Sequence, residues 1–279
     1  MRLLLLGGSG FVGRHLSEAL RERGDTVTLA SLRDPAEAAR AAASCEAIVN
    51  LAGEPIAQRW TAALKRRIEE SRVAMPRRFL ELVAQNPRQG SVYVSASAIG
   101  YYGTSETETF DEQSPPGHDF LARVCAAWEG EARAAAGLGM RVAIVRNGIT
   151  LGTDGGALRK ILPPFRAGAG GRVGSGRQWF SWIHITDAVG IYLMAIDRVE
   201  GALNACAPAP VTNAEFTAEL GSALHRPAML PVPTLALRAL LGEGTDMLLK
   251  GQRVLPRRTE QLGYRFRFPE LRAALANLL

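Results

Sequence analysis

The sequence predicts an α/β fold built on a doubly wound parallel sheet, and three observations carry that expectation. Short apolar runs alternate with helical patterns through the first half of the chain. The first run, Leu3, Leu4, Leu5 and Leu6, is apolar at every position, as a strand covered on both faces requires. Glycines at positions 7, 8, 10 and 13 follow it directly and open a helical stripe.

The elements follow in order. Val12, Leu16, Ala19 and Leu20 share one face of a first helix, which Gly24 ends. Residues 27–30 read as a second strand, 35–43 as an alanine-rich helix and 47–51 as a third strand. A long helical pattern spans 61–84, and Pro76 is expected to kink or break it. Residues 92–95 and 141–145 read as the fourth and fifth strands, with a helix over 120–136 between them. Residues 1–150 are therefore expected to form one α/β domain.

Beyond residue 150 the alternation loosens. Glycines at 152, 155, 156, 168, 170, 171, 174 and 176 surround an expected helix over 157–166. Further helical patterns span 188–196 and 214–224, and a last segment, 231–279, is opened by Pro231 and Pro233. The expectation is a smaller lobe over 151–279 on the substrate side, with later segments returning to the first domain. Gly168–Gly176 reads as a mobile loop, anchored on its far side by Trp179 and Trp182.

Composition limits the function classes. The 279 residues are 47% hydrophobic and 22% charged, enough for a sizeable core. The net charge of +6 is dispersed among acidic residues and accompanies no recognition motif, so no nucleic-acid partner is expected. Cys45, Cys125 and Cys206 are far apart, and the four histidines are scattered, so neither a disulfide framework nor a metal site is expected. The opening apolar run is too short for a signal segment, and no run reaches the roughly 18 apolar residues of a membrane span. A cytoplasmic protein without a membrane partner is the expectation. Oligomeric state is not legible.

The glycine turn fits Gly8-x-Gly10-x-x-Gly13 and equally Gly7-x-x-Gly10-x-x-Gly13. Either spacing suits a dinucleotide: a tight turn after the strand, close approach of a pyrophosphate, and close helix–strand packing. Gly7, Ser9, Gly10, Phe11, Val12 and Gly13 are thus candidate cofactor contacts. At the end of the second strand stand Ser31 and Arg33 rather than an early acid. A hydroxyl beside a guanidinium suits the 2′-phosphate of NADP(H), which arginine pairs bidentately.

Gly7-x-x-Gly10-x-x-Gly13 resembles the fingerprint of the extended short-chain dehydrogenases/reductases, the NAD-dependent epimerase/dehydratase superfamily. Asn50-Leu51-Ala52-Gly53 resembles its NxAG element, which adds Leu51, Ala52 and Gly53 to the expected cofactor contacts. Longer stretches are similar to an epimerase-like subfamily: Arg59-Trp60-Thr61, Ser95 to Gly103, Asp111-Glu112 and Ser181-Trp182-Ile183-His184. Leu240-Leu241-Gly242-Glu243 and Gly263-Tyr264-Arg265-Phe266 resemble its short C-terminal domain of unknown function. The resemblance covers nearly the whole chain. It implies a Rossmann-type fold, and with the Ser31 and Arg33 reading the expectation is an NADP(H)-dependent, epimerase-like oxidoreductase acting on a small polar carbonyl or hydroxyl compound.

The catalytic pattern departs from that superfamily. Its tyrosine and the lysine four residues on would fall at Leu121 and Cys125. No tyrosine here has a lysine four residues on. Ser97 stands at the matching serine position, and Tyr101 and Tyr102 are the nearest phenols; these three are the candidate catalytic residues. Cys125 reads as a buried filler. Lys160 reads as a surface lysine or a crevice residue, and His184 and Asp187 as supports of the substrate loop. A cofactor-binding protein without turnover is the alternative function.

Overall fold

The computed structural model describes residues 1–86, 90–228 and 230–279. Six parallel strands form the central sheet: β1 (Arg2–Leu6), β2 (Thr26–Ala30), β3 (Ala47–Asn50), β4 (Val92–Ala98), β5 (Arg141–Asn147) and β6 (Gly201–Ala205). Their spatial order is β2-β1-β3-β4-β5-β6. The chain leaves β1 for one side with β2 and for the other with β3, so a topological switch point lies between β1 and β3. All six strands run the same way, so the turns after β1, β3 and β4 share one edge of the sheet.

Helices cover both faces. Leu3, Leu5, Val49 and Val94 point to one face and pack with Leu16 and Leu20 of α1 (Phe11–Glu22) and with the apolar helix Ile185–Arg198. Leu4, Leu6, Ile48 and Tyr93 point to the other. There they meet α2 (Pro35–Ala42), α4 (Ala74–Ala84) and α5 (Phe120–Ala134). This double burial is why β1 reads as unbroken leucine.

The expected 61–84 helix is two helices, α3 (Ala62–Arg72) and α4. The break falls at Val73, before Pro76 rather than at it. Proline has no N–H to donate to the carbonyl four residues back, which is that of Arg72, so the helix ends there. Strands β4 and β5 run longer than expected, to Ala98 and Asn147, and pair to their ends. Ser97 therefore lies inside a strand, opposite Arg146, and not just past one.

The last strand of the sheet, β6, comes from residues 201–205, and the helix Ile185–Arg198 covers the β1 face. The remaining residues beyond 150 contribute α6 (Gly156–Arg166), a helix over Asn213–Ala223 and a C-terminal helix over Leu271–Leu278. These pack around Trp182, Phe216 and Leu275 as a separate core.

The C-terminal segment is tied to the body at many places, of which three sets of contacts involve the motif residues. Trp60 donates its backbone N–H to Leu241, Arg59 donates to the Ala239 carbonyl, and Lys65 pairs with Glu243. Glu112 accepts from the backbone N–H groups of Asn204, Arg258 and Thr259. Asp187 accepts from the backbone of Arg267 and Phe268 and from the Tyr264 hydroxyl. Several stretches read as family signatures are thus the two sides of one contact.

Candidate functional site: a crevice at the switch point

The glycine turn sits at the carboxyl end of β1. Gly7 has φ +77°, a shape that favours glycine, and a Cβ there would meet the Ala52 backbone N at 2.7 Å. A Cβ at Gly13 would stand 2.4 Å from the Gly7 carbonyl oxygen, so only glycine lets α1 pack this close. Gly8 lacks the positive φ, which favours the Gly7-x-x-Gly10-x-x-Gly13 reading. Gly10 has only the Gly7 carbonyl near its missing side chain and is exposed. Gly10 is also the N-cap of α1, and no side chain caps that end. The first N–H groups of α1 therefore face open space with the positive end of the helix dipole behind them. Ser9 is exposed beside them, and Val12 is half-buried.

Phe11 faces the second half of the chain. A Cβ at Gly155 would stand 2.3 Å from its ring, and one at Gly152 2.5 Å. Those glycines make room for this ring. Asp154 between them accepts from Arg14 and lies 3.0 Å from the His15 Nε2. Burial pushes the Asp154 carboxyl up, but His15 and Arg14 hold it below its ordinary value. The loop is pinned to α1.

The turn after β3 is built by Asn50. Its carboxamide oxygen accepts from the Ala52 N–H at 3.1 Å, and its amide donates to the Tyr93 hydroxyl. Leu51 and Ala52 are half-buried and Gly53 is exposed. Leu51 donates its N–H to Leu6, which stitches this turn to the glycine turn.

At the end of β2 the Ser31 hydroxyl accepts the Arg33 backbone N–H at 3.2 Å. Leu32 turns inward to the core, and Arg33 is exposed with no side-chain partner among the described residues. Asp34 caps α2 through the Glu37 N–H and offers no competing acid to the turn. The residues present therefore fit a dinucleotide with a 2′-phosphate: an uncapped helix start, a glycine cradle and a free guanidinium at one edge.

The three candidate catalytic residues are placed differently from one another. Ser97 is 2% exposed, and its hydroxyl donates to Glu129 at 2.9 Å. Glu129 is paired bidentately with Arg146 at 2.7 and 2.9 Å. The Tyr102 hydroxyl accepts from Arg146 and donates to Asn204 at 2.7 Å, and its ring stacks on Phe110. Burial pushes the Tyr102 phenol well above its ordinary value, although Arg146 works against that. Ser97 and Tyr102 are thus internal members of one ion-pair network. Tyr101 differs: it is half-buried, the Arg146 guanidinium lies 3.6 Å from its ring centre, and its hydroxyl holds no partner among the described residues.

The remaining candidates find structural settings. Cys125 lies against Gly100, 3.8 Å from where its Cβ would stand, and burial pushes the thiol up to about 12. Lys160 is exposed but donates to the Ala57 carbonyl at 3.3 Å, bridging α6 to the loop after β3. His184 caps the helix Ile185–Arg198 through the Thr186 N–H and stacks on Phe268. Trp182 is fully buried, and Trp179 is half-buried and donates to Glu106.

Sequence reasoning missed Arg72. It sits at the last position of α3, and its guanidinium lies under Gly53. No pattern marks it, because the break before Pro76 alone brings it to the crevice.

The fold and the site define a nucleotide-binding α/β protein, and the chain belongs to the NAD dependent epimerase/dehydratase family, matched over residues 3–206. Residues 232–278 match a domain of unknown function, DUF1731. The chain is 41% identical over 294 residues to the mouse epimerase family protein SDR39U1, with both chains covered in full. It is 40% identical over 302 residues to an Arabidopsis thaliana homologue described as chloroplastic, covering all of this chain and 87% of that one. A crystal structure of the human epimerase family protein SDR39U1 with NADPH superposes with a TM-score of 0.93 at 39% identity, covering 100% of this chain and 99% of that one. Among the described residues no helix is long and apolar enough to cross a membrane.

Proposed function

We propose that the chain binds NADP(H) and works as an epimerase-like oxidoreductase on a small polar carbonyl or hydroxyl compound. The observation that carries this is the uncapped start of α1 above the glycine cradle, with Arg33 free at the same edge. Gly10 and the first N–H groups of α1 hold the pyrophosphate, and Ser31 and Arg33 hold the 2′-phosphate. The human relative crystallised with NADPH supports the same reading. A bound nicotinamide supplies hydride chemistry, and the protein orients it.

Of the chain's own groups, Tyr101 has a free hydroxyl at the carboxyl end of β4 and is the proton donor of this reading. The three cysteines are free and buried, which suits a reducing compartment. The first experiment titrates NADPH and NADH into the wild type and Arg33→Ala. A charge-assisted contact is worth about 1.5–3 kcal/mol, so NADPH binding should weaken about ten- to a hundredfold while NADH binding barely changes. Equal wild-type affinities for the two cofactors refute the preference.

A second reading, an NADP(H)-responsive protein without turnover, is favoured by one observation. Ser97 and Tyr102 spend their hydroxyls inside the Glu129–Arg146 network. A panel of carbonyl compounds, with NADPH oxidation and NADPH binding followed separately, separates the two.

A further inference from the structure

Among the described residues Arg72 is a cation without a counter-ion. One of its guanidinium nitrogens, Nη1, donates to the carbonyls of Glu54 and Ile68 and to Ser71 Oγ, at 3.0, 3.3 and 3.3 Å. Among the described residues no carboxylate lies within ion-pair distance of it. Glu54, the nearest acid that acts on it, turns its carboxylate to Arg67 and Gln58. Cys125 also lies within its field, and a thiol raised by burial stays neutral and gives no charge in return. The guanidinium lies over the Trp128 ring at 5.1 Å, and burial lowers its proton affinity. A half-buried charge with no carboxylate to neutralise it is costly, so a group that stays here needs a reason.

Its position supplies one. A Cβ added at Gly53 would stand 3.1 Å from both Cζ and Nη2, so the guanidinium lies flat against the backbone at the carboxyl end of β3. Gly53 follows Ala52, the residue against which Gly7 packs. Arg72 thus borders the switch point, opposite the glycine turn. Nε and Nη2 have no protein acceptor among the described residues.

We propose that Arg72 binds an oxyanion in this crevice, through the donors that the protein leaves unused. The anion is a phosphate of the dinucleotide or a carboxylate or phosphate of the substrate. This rests on the reading of the crevice as a dinucleotide site. Arginine suits the task because its planar fork matches both anions. The same cation stands beside Cys125, where the superfamily resemblance would put a lysine, so α3 brings a positive charge to a place where α5 has none.

The test titrates NADPH, adenosine 2′,5′-bisphosphate, and malonate or inorganic phosphate with NADP⁺ present. Wild type is compared with Arg72→Met, Arg72→Gln and Arg72→Lys, each checked for its melting temperature. Arg72→Gln retains donors for the Glu54 and Ile68 carbonyls and serves if the methionine variant does not fold. If the anion is the cofactor's, the uncharged variants lose about ten- to a hundredfold in NADPH affinity. The adenine-side bisphosphate then changes less than about twofold, and Arg72→Lys recovers part of the loss. If the anion is the substrate's, NADPH affinity holds and the binding of malonate or phosphate to the NADP⁺ complex disappears. Unchanged binding of every probe overturns the proposal, as does an equal loss for all of them, which marks a purely structural arginine. If the wild type binds no nucleotide, the dinucleotide reading fails by itself. Arg72-dependent binding of malonate or phosphate then still supports the anion site, and its absence overturns it.

Discussion

Three hydroxyls that look alike along the sequence have three different fates. Ser97 and Tyr102 hold Glu129, Arg146 and Asn204 in place, whereas Tyr101 only lays its ring under the Arg146 guanidinium. Mutation should separate these roles. Ser97→Ala and Tyr102→Phe each strand buried partners, at about 1–3 kcal/mol, so both should lower the melting temperature. Tyr101→Phe should leave it nearly unchanged. With a substrate that is turned over, Tyr101→Phe should slow catalysis by about 10²–10⁴-fold, the usual contribution of general acid catalysis. Melting curves and rates at matched cofactor occupancy read the two effects. Wild-type rates in Tyr101→Phe would remove it from the chemistry. The sequence placed these residues beside one another and beside the sheet edge. It did not reveal Glu129 or Arg146 as their partners, because a carboxylate 32 residues from Ser97 carries no local signal.

At the scale of elements, the loop between Leu151 and α6 is built to receive Phe11. Gly155→Ala should drive its Cβ into that ring, displace the start of α1 and weaken NADPH binding together with stability. Titration and thermal melts on the same variant check both. The ion contacts of Asp154 add a pH dependence. Its carboxyl is held below the unfolded value, so its contribution is present above that value, near 3.8, and fades as pH falls through the lower folded value. Proteolysis of the 152–156 loop should therefore accelerate in acid in the wild type, and Asp154→Asn should be cut as readily at neutral pH. Retained protection in Asp154→Asn, with no acid effect in the wild type, would assign the docking to Phe11. The glycine-rich stretch 168–176 is a separate matter. Val173 donates to Asn213 and Gln178 donates to the Val173 and Leu248 carbonyls, which ties the stretch at its far end. Protease cutting within it should slow when cofactor and ligand are both bound; cutting indifferent to ligand would refute closure.

At the scale of the whole molecule, the C-terminal segment lays Tyr264 and Phe266 against the core of the sheet domain and shares a hydrogen-bond system with it. His184 stacks on Phe268, and Asp187 holds the backbone of Arg267 and Phe268. Burial lowers the His184 pKa below its ordinary value, so the folded protein keeps this ring neutral. The unfolded chain then takes up more protons as pH falls through about 6.5, and stability declines in that window. His184→Phe should flatten the decline between pH 7 and 5 in thermal or urea melts. A decline of the same slope in the variant would place its origin elsewhere.

The sequence by itself determined the layered α/β fold, because the periodicity of apolar residues and the glycine punctuation are local and double burial leaves a continuous apolar run. It likewise marked the cofactor cradle, since a turn with positive φ at Gly7 and contact distances too short for a Cβ at Gly13 admit only glycine. Tertiary structure alone decided which hydroxyls are free. It also decided that Gly152 and Gly155 serve the Phe11 ring, and that a helix break at Val73 delivers Arg72 to the crevice. Those outcomes depend on groups far apart in the chain meeting at one sheet edge. Burial and charge there are set by neighbours that no window of sequence contains.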